Sequence, residues 1–153
     1  MIRFPESVNN FIFIGEAGSG KSEISTAFAC HLAHTYSKQV DVFDMDQTKA
    51  LFRSRDYLDK IDMPNLRLHF QEQVLDSPLA APGIVESLSD REIFTVVDVG
   101  GNAIGARMIA PYSRQINSPD TITWFIVNPH CPWSRTEGFK RDHCPFIRPF
   151  KNP

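Results

Sequence analysis

The chain has 153 residues, of which 42% are apolar and 22% charged. That is a single domain's length with an ordinary soluble composition, which excludes disordered, collagen-like and disulfide-scaffold classes. Sixteen Lys and Arg against 18 Asp and Glu leave a formal charge of −2, so no overall basic field points to nucleic acid or an anionic membrane.

In chain order, Phe11-Ile12-Phe13-Ile14 is a short, wholly apolar run stopped by Gly15, as suits a strand buried on both faces. Beyond a Gly-rich turn, Ile24, Phe28 and Leu32 recur at i, i+4 and i+8 and predict an amphipathic helix over about 21–36. Val40-Asp41-Val42-Phe43 reads as a second strand that ends in an acidic cluster, and 66–70 as a weaker strand. Ile84 to Leu88 predicts a helical turn or two, entered after Pro82-Gly83. Residues 93–97 form a strong strand candidate ending at Asp98. A helix over 103–116 follows, with Ile104, Met108 and Ile109 on one side. A last β-rich strand covers 121–127 and ends at Asn128-Pro129. Strands alternating with helices predict an α/β fold with a mostly parallel sheet.

Three segments carry chemistry. Gly15-Glu16-Ala17-Gly18-Ser19-Gly20-Lys21-Ser22 fits G-x-x-x-x-G-K-[ST] completely, and the pattern sits between a strand and a helix, as its mechanism needs. Gly18 and Gly20 let successive N–H groups turn inward around phosphate oxygens, and the helix start faces the same anion. Lys21 supplies a point charge for β- and γ-phosphates, and Ser22 a hydroxyl oxygen for Mg²⁺. Asp44-Met45-Asp46 closes the second strand, with both carboxylates on one face of extended chain and near the phosphates at the shared edge of a parallel sheet. Phe94-Thr95-Val96-Val97-Asp98-Val99-Gly100-Gly101 matches a Walker-B strand, whose Asp supports Mg²⁺ through its water shell.

These segments resemble the MinD/ParA-like (SIMIBI-type) ATPases among P-loop proteins, through residues 15–22, Asp44-Met45-Asp46-Gln47, 96–101 and Val127-Asn128-Pro129. The resemblance covers about 11–132. It implies a three-layer P-loop NTPase domain with ATP and Mg²⁺ as cofactors. The expected nucleotide-binding residues are Gly15, Ala17, Gly18, Ser19, Gly20, Lys21, Ser22, Glu23 and Gly101, the last as γ-phosphate sensor. Ser22 is the direct metal ligand, Asp44 and Asp98 act through the metal's water shell, and Lys21 and Asp46 are catalytic, Asp46 by positioning the attacking water. Segments 44–52 and 100–107 are expected to couple nucleotide state to a protein partner or cargo. Alternatives are a small-molecule kinase with the same loop and a nucleotide-binding module without turnover. Two departures stand out. Glu16 occupies the place of the signature second lysine, and no Cys-x-Cys pair is present.

The tail reads differently. Residues 135–153 carry five basic and two acidic side chains, leaving −5 for residues 1–134, and five of the 11 prolines fall between Pro129 and Pro153. The domain is therefore read as 1–137, followed by an irregular basic, Pro-rich segment 138–153. The family's base-recognising strand finds no counterpart after Val127, since Pro145 and Pro149 flank Phe146-Ile147-Arg148. A truncated or frameshifted product altered near Gly138 is the expectation. The pairs His130-Cys131 and His143-Cys144 fit zinc spacing loosely and read as incidental. Leu51-Phe52 and Tyr57-Leu58 read as core and Arg53, Arg55 and Arg107 as a solvated face. Three sparse cysteines, no apolar run long enough to span a bilayer and no secretory pattern predict a cytoplasmic chain.

Overall fold

The computed structural model describes residues 4–46, 62–70, 82–101 and 103–130. The expectations for 51–58, for the zinc pairing and for the 137/138 boundary and tail lie outside these residues.

Strand β1 (Asn10–Gly15) leads into α1 (Lys21–Thr35), then β2 (Gln39–Asp44) and β3 (Leu66–Phe70). A short α2 (Ile84–Ser89) precedes β4 (Ile93–Asp98), and β5 (Thr121–Ile126) is the last described strand. The five strands form one sheet in the order β3-β2-β4-β1-β5, and every pairing is parallel. Among the described residues the sheet is parallel throughout, in line with the expected α/β fold. In the dinucleotide-binding order 3-2-1-4-5-6 the first strand lies beside the second. Here β4 lies between them, so the ends of β1 and β4 are neighbours.

Helices cover both faces, giving three layers. Phe11 and Phe13 of β1, Val40 and Val42 of β2, and Phe94 and Val96 of β4 pack against Phe28, Ala29, Leu32 and Ala33 of α1. Alternate residues Ile12, Phe43 and Val97 pack on the other face with Ile84 and Leu88 of α2 and with Met108, Ile109 and Tyr112. Burial on both faces explains why β1 is apolar at successive positions instead of alternating.

Two expected details change. Ile24 is not on the buried stripe of α1. It is 45% exposed, while Ser25 and Thr26 are buried. The inward stripe runs through Lys21, Ser22, Ser25, Thr26, Phe28, Ala29, Leu32 and Ala33. Ser25 is tolerated there because its Oγ donates to the Ser22 carbonyl at 3.0 Å. The single helix expected over 103–116 is three pieces, α3 (Ala103–Ile109), a 3₁₀ turn (Ala110–Tyr112) and α4 (Ser113–Ile116). Pro111 lacks an N–H, and its ring clashes with the carbonyl four residues back, so an unbroken α-helix is excluded. No helix of the described residues is long and apolar enough to cross a membrane.

Candidate functional site

The site is built at the C-terminal edge of the sheet, where β1, β2 and β4 all end. Asp44 pairs in register with Asp98, and Asp98 with Phe13. Register partners share a face, and Phe13 belongs to the α1 face. Asp44 and Asp98 therefore lie side by side on the face where α1 begins. Asp98 is fully buried and Asp44 half-buried.

The loop after β1 turns at Gly18 (φ 77°) and Gly20 (φ 86°), two left-handed conformations that glycine adopts without steric cost. Within it the Ser19 N–H donates to the Glu16 carbonyl at 3.1 Å. Gly20 is the N-cap of α1 and offers no side chain, so no side-chain cap satisfies the first-turn amides. Ala17, Gly18, Glu23 and the departing Glu16 are exposed, and Ser19, Lys21 and Ser22 are buried. The Ser19 Oγ has no hydrogen-bond partner among the described residues. A helix start without a side-chain cap, an orphaned buried hydroxyl and a buried lysine together make a concentrated set of donors of the kind that suits an anion.

Lys21 is 3% exposed, and its ammonium lies 3.2 Å from Asp46 Oδ2, whose side chain is 5% exposed. Strand β2 stops at Asp44, so Asp46 reaches this place through a turn and not by strand alternation. Its backbone N–H donates to Asp44 Oδ1 at 3.1 Å, and the Met45 N–H donates to the Asp98 carbonyl at 2.9 Å.

Gly101 closes the site from β4. A Cβ there would lie 2.5 Å from the Ala17 nitrogen and 2.7 Å from the Gly15 oxygen, so only glycine lets these two loops touch. From β5, the Asn128 side-chain amide donates to the Gly18 carbonyl over a long 3.4 Å. All the expected site residues, from Gly15 to Glu23 with Asp44, Asp46, Asp98 and Gly101, thus gather at one edge, Glu23 facing outward from the first turn of α1. Sequence reasoning missed Gly105, whose absent Cβ would fall 2.1 Å from the Gly100 oxygen. The available signal was a glycine inside a helix-like stretch.

Comparison with known proteins gives one weak likeness. A protein-L-isoaspartate O-methyltransferase from Burkholderia vietnamiensis (strain G4 / LMG 22486) is 29% identical over 96 residues, 61% of this chain and 31% of the relative. The chain spans about a third of the length of that curated relative. No family model matches, and no solved structure matches. The relative is a methyltransferase and not an ATPase. That finding contradicts the expected description of the chain as a Walker A, P-loop hydrolase or ATPase.

Proposed function

We propose that the chain is a Mg²⁺-dependent ATP-binding protein whose nucleotide state is read by a protein partner or cargo through the segments that leave the site. The carrying observation is the convergence of an uncapped helix start, buried Lys21 and Ser22, and the in-register pair Asp44 and Asp98 at one sheet edge. In this reading the loop amides and Lys21 hold the phosphates, and the Ser22 hydroxyl binds the metal. Asp44 and Asp98 orient its water shell. The metal supplies charge neutralisation between phosphates and carboxylates that otherwise repel. The donor set fits both groups, with nitrogen donors for an anion on one side and hard oxygens for Mg²⁺ on the other.

Thermal denaturation with ATP, ADP, GTP and GDP, each with Mg²⁺, tests the proposal. A ligand at about one hundred times its Kd adds ~2.7 kcal/mol of stability and raises Tm. ATP and ADP are expected to do so, EDTA to reduce the shift, and Lys21→Ala to abolish it. An undiminished nucleotide-induced shift in Lys21→Ala overturns the assignment.

The methyltransferase likeness supports a second reading, O-methylation of an L-isoaspartate residue in a protein. Radiolabelled methyl incorporation into an isoaspartyl peptide, with S-adenosylmethionine as donor, decides it.

A further inference from the structure

We propose that Asp46 is an internal counter-ion that occupies Lys21 until a polyphosphate displaces it, so that the site selects ligands with two or more linked phosphates over a monophosphate. This rests on the nucleotide-binding reading above and specifies how that site chooses its ligand.

The argument begins with burial. Lys21 and Asp46 are both nearly inaccessible to water and lie 3.2 Å apart. Each neutralises a charge that the fold removes from water, and deleting one partner leaves the other uncompensated. Two contacts fix the place of Asp46. The Asp46 backbone N–H is fixed on Asp44 Oδ1 at 3.1 Å, and Lys21 draws Oδ2. Gly100 packs beside it, where a Cβ would make an ordinary 3.4 Å contact with Asp46 Oδ1. The Asp46 carboxylate therefore stands at the ammonium that the loop would offer to phosphate.

Charge makes the two anions competitors. Asp46 lies on Lys21, with Asp44 and Asp98 side by side at the same sheet edge, and a phosphate brought beside Asp46 repels it at short range. An incoming ligand must break the Lys21–Asp46 pair and hold Lys21 better than a carboxylate does. A Mg²⁺-bound diphosphate or triphosphate brings more charge to Lys21 and the helix start, together with a cation that quiets Asp44 and Asp98. A monophosphate brings one phosphate to the same contest.

Isothermal titration of wild type, Asp46→Asn and Asp46→Glu with Mg·ADP, Mg·ATP and AMP tests this, with thermal denaturation of each unliganded protein. Asp46→Asn is expected to bind Mg·ADP about tenfold more tightly. The preference for ADP over AMP narrows, and the unliganded protein melts lower because Lys21 has lost its partner. Asp46→Glu keeps the competition and the wild-type order of affinities. Equal or weaker Mg·ADP binding by Asp46→Asn overturns the counter-ion and leaves nucleotide binding standing. Failure of both wild type and Asp46→Asn to bind any nucleotide overturns both. Binding by Asp46→Asn alone supports the counter-ion. If Asp46→Asn does not fold, crystals of wild type with Mg·ADP decide. A Lys21–Asp46 separation beyond hydrogen-bond reach supports the exchange, and an unbroken pair overturns it.

Discussion

Gly105 and Gly20 near the site both resist substitution, for different physical reasons. At Gly105 the obstacle is matter. An added Cβ falls 2.1 Å from the Gly100 oxygen, with the Gly100 carbonyl carbon at 2.6 Å. Those are backbone atoms, so relief requires that α3 move away from the end of β4, taking Gly100 and Gly101 off the loop. At Gly20 the space is open, with nothing within 4 Å, and the obstacle is the left-handed backbone at φ 86°. A side chain there costs about 1–2 kcal/mol. Overpacking of a closed site costs typically 1–3 kcal/mol and sometimes more. Urea denaturation of the two alanine variants is expected to show Gly105→Ala destabilised by about 3 kcal/mol and Gly20→Ala by about half as much. Equal losses remove the steric account of Gly105.

At the scale of elements, α1 joins the core to the site. Its inward stripe begins with Lys21 and Ser22 and continues through Phe28 and Leu32, so the packing that fixes the helix also fixes the lysine. Phe28 is the centre of an aromatic cluster, with ring centroids 4.9 Å from Phe11, 5.8 Å from Phe13 and 5.0 Å from Trp124. Phe28→Ala removes these contacts and leaves a cavity, which costs about 3–5 kcal/mol. Urea titration followed by tryptophan fluorescence measures the loss, because Trp124 reports on the same cluster. A loss under 1 kcal/mol would mean that the helix is not anchored there. The elements themselves were legible. Apolar runs at 11–14 and 93–97 end at glycine or aspartate, and Pro82-Gly83 marks the start of α2. The inward side of α1 was misread at Ile24 because apolarity alone does not reveal that Ser25 can satisfy itself on the Ser22 carbonyl. The insertion of β4 between β1 and β2 had no local signature, since parallel neighbours are joined by long crossovers. For the same reason the sequence placed Asp46 near the phosphates without pairing it to Lys21, 25 residues away.

Across the whole molecule the two faces of the sheet are held differently, and both are sensitive to alkali. The α1 face is aromatic and aliphatic. The other face carries a polar seam, with Asn10, Asp41 and Thr95 in register across β1, β2 and β4. Ser87 of α2 donates to Asp41 Oδ2 at 3.3 Å and shares a 2.8 Å hydrogen bond with Thr95, and Asn10 donates to the Leu88 carbonyl at 2.9 Å. This seam ties α2 to the sheet at a fixed register. Among the described residues each layer holds a weak acid that burial makes harder to ionise. Desolvation raises the Cys30 thiol on α1 above its ordinary 9.0 and the Tyr112 phenol on the other face above 10.0. The unfolded chain releases these protons first, so folding holds more of them and stability falls as pH rises past those values. Lys38 acts oppositely. Desolvation lowers its ammonium below 10.5, partly offset by Glu92 and Asp90, so the unfolded chain holds that proton longer and stability gains with pH in that interval. Because Cys30 has the lowest ordinary value of the three, it sets the onset. Urea midpoints measured from pH 7 to 11 are expected to begin falling near pH 9 in the wild type. In Cys30→Ala the fall begins about one pH unit higher, where Tyr112 takes over and Lys38 opposes it. An identical onset in Cys30→Ala would show that the thiol is not held protonated by the α1 layer.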